Sequence, residues 1–579
     1  MGSQDNQTTL NPLPVALFLC LGLTGVACRT SYYHQKADRE VYRIIQDVEA
    51  DIFGQTNHFT INTRYSDRVS SEIEPEEIVE DRQQIAKKTL NIEQALELAV
   101  LNSREYQSEK ERLYLTALSL SGARWEFSPQ FLARSTVSRN RAANGEQSGS
   151  VGNRISVGQA LTSGASLGAT LANDLLRFYT GDSRRSAVNS LSVNIAQPLL
   201  RGAGNLVGRE PLRQSERNVI YAIRDFTQFQ REFSVDIVSQ FFSLLQQRDI
   251  VRNRFADYQA RTNSTKRLEA RFEAGLETAV GMGQARQAEL SSRNGYVNTI
   301  ASYQTQLDQF KIQLGIPLTH ELQLDDSELA TLSEVGLIDT QFDTDTAFRV
   351  AVTNHLVVLN DIDRFEDSRR QIRIAANRLR PGLDFFADAS LSSERPTDYT
   401  QFDIDDVRTG AGFEIDLPVN RFRERNQYRS TVVNFERAIR TLSLILDQKR
   451  NQIERGLRTL RQLRENYRIQ TMAVQLAEER VLSADLNIQA GRASVLDLVI
   501  AQDELVATRI SLSAALVDYI SARLRLLLDI GILDTDQERY WLNTNPTPLP
   551  DLFVATEPTP TEITAEDVLT PDMLFEETP

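Results

Sequence analysis

Cysteine is almost absent from this 579-residue chain: there are two, Cys20 and Cys28, both within the first 30 positions. The rest of the sequence can form neither an internal disulfide nor a thiolate metal site. Histidine is as scarce. His34, His58, His320 and His355 are scattered without ligand spacing, and each reads as a solvated or hydrogen-bonded side chain. Past the N-terminus no uninterrupted apolar run reaches 18 residues, which excludes a bundle of transmembrane helices and leaves strands or a lipid as routes into a membrane. Basic charge is in deficit: 64 Lys and Arg stand against 79 Asp and Glu, a formal charge of −15, so nucleic acid is not an expected partner. No Ser/His/Asp order, recognisable carboxylate pair or Walker lysine occurs, and QPLLRGAGNLVGR spaces its glycines as GxGxxxG, unlike a dinucleotide fingerprint. No catalytic residue, cofactor or metal site is assigned, and no enzyme is expected.

What is present is ordinary folded-protein composition, 41% apolar with 27 Gly. Residues Pro12 to Ala27 read PLPVALFLCLGLTGVA, an apolar stretch too short to span a bilayer and ending in small residues, the form of a secretory leader. Gly25-Val26-Ala27-Cys28 resembles a bacterial lipobox, which implies that Cys28 becomes a lipidated first residue held in a membrane leaflet. The competing reading is an ordinary signal peptide with an incidental cysteine.

The 17 prolines leave two long gaps, Pro211 to Pro317 and Pro418 to Pro546. Such runs, dense in Arg, Glu, Gln, Leu and Ala, suit long helices, because an interior proline costs about 3 kcal/mol. Glycine punctuates both gaps alike: Gly275 and Gly315 stand 40 residues apart, as do Gly491 and Gly531, with an offset of 216 between the pairs. Upstream, Ala95–Asn102 aligns with Ala347–Asn354, and Pro129 with Pro381, at an offset of 252. The halves are a tandem duplication whose first copy holds about 36 extra residues between Pro129 and Gln197.

Each copy opens with a predicted helix, Ile92 to Glu126 and Thr344 to Leu379. The pattern then alternates: Leu191, Val193 and Ile195 between Ser190, Ser192 and Asn194, and Phe413, Ile415 and Leu417 around Glu414 and Asp416. Alternation puts one face in an apolar medium and the other in water, which suits a strand between lipid and a wet lumen or one in a soluble sandwich. Pro198 and Pro418 are expected to open helices running to Gly275 and Gly491, rods on the order of 90–105 Å long. A shorter helix then returns to Gly315 or Gly531. In the second copy Leu476, Val481, Leu486, Leu496, Ile500 and Leu505 recur at coiled-coil steps.

The order helix, strands, long helix, Gly tip, short helix, used twice, resembles the TolC-like outer-membrane efflux channels. TLNIEQALELAVLNSREY (Thr89–Tyr106) is similar to their opening helix, SLSVNIAQPLLRGAG (Ser190–Gly204) to their strand-to-helix passage, and QAGRASVLDLVIAQDEL (Gln489–Leu505) to their second tip. The resemblance covers about Thr89 to Leu533. It implies a mainly α fold with a membrane β part: long antiparallel helical hairpins form a periplasmic α-barrel, topped by a twelve-stranded β-barrel shared by three chains, four strands from each. It also implies a homotrimer in outer-membrane lipid that docks a periplasmic adaptor (membrane fusion) protein and an inner-membrane transporter. Closing strands from several chains into one barrel satisfies every backbone hydrogen bond in lipid, which a lone open sheet cannot do.

Within that resemblance, Gly275, Gly281 and Gly491 belong to the hairpin tips, and Asp497 and Ile500 to the periplasmic aperture, where three carboxylates would form a cation-favouring ring. Asp497 reads equally as a solvated helix residue. Pro198, Gly202, Gly204 and Pro418 are strand-to-helix turn residues, and Ile155–Leu171 is either a longer external loop or an added hairpin. The expected organisation is signal peptide 1–27, lipid-anchored leader 28–88, first repeat 89–317, linker 318–343, second repeat 344–540 and a disordered acidic tail 541–579. The functional expectation is a passive exit duct of a tripartite exporter. The competing functions are a lipidated coiled-coil tether across the periplasm and an exported enzyme.

Overall fold

The computed structural model describes residues 30–56, 58–180, 185–338, 342–393, 402–490, 492–537 and 539–542. Cys28, the expected signal peptide 1–27, Gly491 and the residues beyond 542 lie outside them.

Helix α1 (Thr30–Phe53) buries Val41, Ile44 and Ile45, so the leader is packed onto the body of the protein. Helix α2 (Pro75–Gln83) and strand β1 (Lys87–Leu90) follow. The opening helix of the first repeat is two helices, α3 (Ile92–Asn102) and α4 (Arg104–Glu126). They are separated by Ser103, whose extended backbone ends one and whose hydroxyl caps the next by accepting from the Tyr106 amide. Four strands come next: β2 (Gln130–Arg141), β3 (Gln147–Ala160), β4 (Ser166–Phe178) and β5 (Arg185–Pro198). The 64-residue helix α5 (Glu210–Glu273) and 35-residue α6 (Ala279–Gln313) complete the repeat.

A short strand β6 (Glu321–Leu324) and helix α7 (Ser327–Val335) form the linker, and β6 pairs in parallel with β1 of the leader. The second repeat has α8 (Thr344–Asn354), α9 (Leu356–Arg378), β7 (Gly382–Ser392), β8 (Arg408–Asp416), α10 (Phe422–Gln489, 68 residues) and α11 (Val495–Ile530, 36 residues). Its opening helix breaks at His355, the position equivalent to Ser103. At 1.5 Å per residue α5 and α10 are about 95–100 Å long.

The glycines ending the return helices pack on these breaks. A Cβ on Gly315 would lie 2.0 Å from the Asn102 carbonyl oxygen, and one on Gly531 would lie 2.9 Å from the His355 nitrogen. Both glycines have positive φ, 73° and 81°. The largest core cluster lies at this level and joins α1, α4, α5, α8, α10 and α11, with Phe241, Phe242, Phe310, Tyr519 and Trp541 all buried. Trp541, placed by sequence at the start of the tail, is 1% exposed in a short 3-10 turn, Tyr540–Leu542, so the folded body extends past that boundary. Helix α11 is long and apolar enough by length and composition to cross a membrane, yet Leu516, Val517, Ile520 and Leu524 along it are core residues.

Nearer the strands, a buried polar cluster joins α5 to α9. Arg370 donates to Glu210 (2.9 Å) and Asp367 (2.7 Å), and the Tyr221 hydroxyl donates to Asp367 (2.7 Å). Each group satisfies another, which is the condition for burying charge. The arrangement fixes the register of one repeat's helix on the other's.

Candidate functional site: a two-faced sheet on paired helical tips

The strands from both repeats form one antiparallel sheet in the order β2-β3-β4-β5-β7-β8. This corrects the expectation of four strands from each chain. The segment Ile155–Leu171 is the inner half of an added hairpin in the sheet, β3–β4, which has twelve residue pairs to β2 on one side and twelve to β5 on the other. Its turn, Leu161–Ala165, faces the helices, so it is no external loop.

The register sorts side chains by face. Phe131 pairs with Val157, Ile155 with Leu171, Leu171 with Leu191, and Leu191 with Leu391. Phe385 pairs with Phe413 on the same face. Among the described residues nothing covers this apolar face: Phe131 is 80%, Ile155 54% and Phe413 65% exposed. A soluble sandwich would bury it. The opposite face carries Arg134, Arg154, Asp174, Asn194, Asp388 and Glu414. The sheet therefore presents one apolar and one polar face.

One polar row crosses the apolar face. Ser135 donates to Asn153 (2.7 Å), Asn153 to Asn173 (3.4 Å) and Asn173 to Asn189 (2.6 Å), while the Ser393 hydroxyl accepts from the backbone N–H of Asn189 (2.9 Å). Each amide spends its capacity on a neighbour, which lets it sit among aliphatic side chains. Asn at the same parity in three consecutive strands was the sequence signal for this row.

The strand-to-helix passages differ from expectation in one respect. Pro198 closes β5 and α5 begins only at Glu210; Pro418 lies two residues past β8 and α10 begins at Phe422. Neither proline opens its helix directly. In the first repeat the cause is Gly202 and Gly204, whose φ values of 83° and 87° prevent a helix from starting at Pro198. The inner turn of the added hairpin is seated on this passage. The Gly204 amide donates to the Ser163 carbonyl (3.0 Å), and Ser163 donates to the Gln197 side chain (3.1 Å). A Cβ on Gly164 would lie 2.6 Å from the Gly202 oxygen, and one on Gly208 would lie 2.6 Å from the Thr162 oxygen. The GxGxxxG spacing thus makes room for another piece of backbone. Gly164 went unnoticed in the sequence, although TSGA between two alternating runs is a turn signal.

At the other end, Gly275 has φ 73° and closes α5, with the Leu276 amide bonded back to the Arg271 carbonyl (2.8 Å). Gly281 lies in the first turn of α6, its amide capped by the Thr278 hydroxyl (3.0 Å). The second tip repeats the bond pattern around the undescribed Gly491: the Arg492 amide bonds to the Asn487 carbonyl (2.8 Å). The two tips pack together through Leu268, Ala285 and Val495. Asp497 and Ile500 lie on the other face of α11, and both are exposed. Asp497 completes a capping box, accepting from the Ser494 hydroxyl (2.7 Å) and amide (2.9 Å). Those bonds hold its carboxyl below the usual range. Above the tips, Arg261 bonds to Asp257 (2.8 Å) and to Asp503 of the other repeat (2.7 Å), an ion cluster that sequence reading did not find.

No family model and no curated protein sequence matches the chain. Solved structures do. The outer-membrane protein VceC from Vibrio cholerae is 16% identical, with 76% of this chain and 96% of that one covered at a TM-score of 0.56. The Campylobacter jejuni CmeC outer-membrane channel is 13% identical, covering 76% and 85% at 0.56. The open state of the Neisseria gonorrhoeae MtrE outer-membrane channel is 10% identical, covering 76% and 88% at 0.57. The chain shares its fold with these TolC-like channels.

Proposed function

We propose that the chain is the outer-membrane exit duct of a tripartite efflux or secretion system. Three copies close their sheets into a barrel in outer-membrane lipid, and their helical rods continue as a tunnel into the periplasm. The tips dock a periplasmic adaptor protein and an inner-membrane transporter, which supplies the energy, while the duct itself is passive. A lipid on Cys28 anchors the leader, and three copies of Asp497, backed by Ile500, form the inner aperture.

The observation that carries this reading is the single sheet with an exposed aliphatic face and a charged face, mounted on rods about 95–100 Å long. Its fold likeness to solved outer-membrane channels supports it. A coiled-coil tether has no use for such a sheet. Purified full-length protein in planar bilayers is expected to give unitary current steps; protein that inserts and carries no current supports the tether and removes the duct.

A further inference from the structure

Among the described residues the hairpin β3–β4 has no counterpart in the second repeat, so the first repeat supplies four of the described strands of this sheet and the second supplies two. It is wall and not decoration, because each outer edge of the hairpin is laddered to a neighbour over twelve residues. Its face assignment continues that of the strands around it, with Ile155 and Leu171 on the apolar side and Arg154 on the charged side. Its inner turn is held by Ser163 and Gly164 against Gln197, Gly202 and Gly204.

The sheet also has two unfinished edges. Each of β2 and β8 is laddered on one side only among the described strands. With six strands alternating in direction, β8 runs opposite to β2. The free edge of β8 can therefore accept the free edge of β2 from a second copy as an antiparallel ladder, with apolar and charged faces continuous across the seam. Open edges are not tolerated in lipid, so the occupant of each edge is another copy of this chain.

We infer that the wall closes at eighteen strands, six from each of three copies, with β8 of one copy paired to β2 of the next. This rests on the trimeric duct proposed above. At about 4.8 Å between strands and a tilt near 40°, eighteen strands give a backbone diameter of roughly 36 Å, against roughly 24 Å for twelve. After side chains are allowed for, the outer mouth admits solutes about twice as wide as a twelve-stranded wall would. Size selection is thereby left to the tips, and bulky hydrated polymers become possible cargo.

The test is a cryo-electron-microscopy count of chains and strands in the full-length complex in lipid nanodiscs, paired with polymer exclusion in planar bilayers. Three chains and eighteen strands are expected. Poly(ethylene glycol) added on the outer side should enter the mouth up to about twice the hydrodynamic diameter admitted by a variant lacking Gln147–Phe178. Two chains and twelve strands, or three chains with the hairpin outside the wall, would overturn the inference while leaving a channel. Absence of any current would instead overturn the duct itself. If the excision variant fails to fold, the strand count on the full chain still decides.

Discussion

Arg261 of α5 reaches Asp503 of α11 across 2.7 Å and at the same time holds Asp257 of its own helix at 2.8 Å. The two ends of this bond differ. Asp503 is well exposed, whereas the side chains of Arg261 and Asp257 are about 5% exposed. Burial already pushes the Asp257 carboxyl up, against the pull of Arg261. Arg261→Met strands that acid and should cost about 3–5 kcal/mol, whereas Asp503→Asn should cost under about 1 kcal/mol. Adding Asp257→Asn to Arg261→Met should recover most of the loss. Thermal midpoints of the detergent-purified variants check this; equal losses for Arg261→Met and Asp503→Asn, or no recovery in the double variant, would refute it.

Gly164→Ala tests the seating of the added hairpin. A methyl there meets the Gly202 oxygen at 2.6 Å and also requires positive φ in a non-glycine residue. The expected loss is about 2–4 kcal/mol. Gly145 has φ 85° with nothing within 4 Å of its Cβ, so Gly145→Ala isolates the backbone term and should cost about 1 kcal/mol. Comparable losses at the two sites would mean that the turn is not confined.

The row of amides on the apolar face predicts non-additivity. Asn173→Leu removes the shared partner of Asn153 and Asn189 and leaves both facing an aliphatic surround, a loss of about 1–3 kcal/mol. Replacing Asn153, Asn173 and Asn189 together by Val, Leu and Val should cost less than Asn173→Leu alone. Urea unfolding from lipid vesicles reads the difference.

His355 gives the protein a pH dependence. Burial, and then the nearby Lys449 and Arg231, push its imidazole down to about 3 from an ordinary 6.5. The unfolded chain therefore binds a proton between those values and the folded chain does not, so this residue's contribution is complete above pH 6.5 and falls as the medium is acidified. From pH 7 to 5 the loss should be about 2 kcal/mol, and His355→Gln should flatten that part of the profile. An unchanged slope in the variant would assign the acid sensitivity elsewhere.

At the tips, Asp497→Ala should raise conductance or weaken cation preference. Because Ser494 keeps the carboxyl ionised below the usual range, the wild-type preference should stay flat from about pH 8 to 5. Current and selectivity that do not respond to the substitution would take Asp497 out of the aperture and leave it as a helix cap.

Much of the architecture was legible because long helices exclude proline and tight reversals demand glycine: the gaps and the pairs Gly275/Gly315 and Gly491/Gly531 outlined both hairpins. The breaks at Ser103 and His355 were not, since a single extended residue leaves the helical apolar period intact on either side. The β1–β6 ladder joins four-residue strands some 230 positions apart, too short to carry an alternating signal. The strand count was missed for another reason. Gly149, Gly152, Gly158 and Gly168 dilute the alternation in the added hairpin, and the surplus of about 36 residues did not by itself distinguish wall from loop. Of the candidate site, Gly275 has a clear conformational reason, a positive φ at the end of α5, but the partners of Asp497 and the confinement of Gly164 depend on contacts that spacing alone does not specify.

The surplus in the first repeat also limits how a protein of this design can change its girth. A single inserted strand would deliver the chain to the opposite end of the sheet, with α5 starting at the end away from the other helices. Two inserted strands return it to where it began, with every later residue facing as before. Under the duct proposed above, strands can be added to such a sheet only in pairs, and Gly202 and Gly208 leave the room that the bend of the added pair occupies.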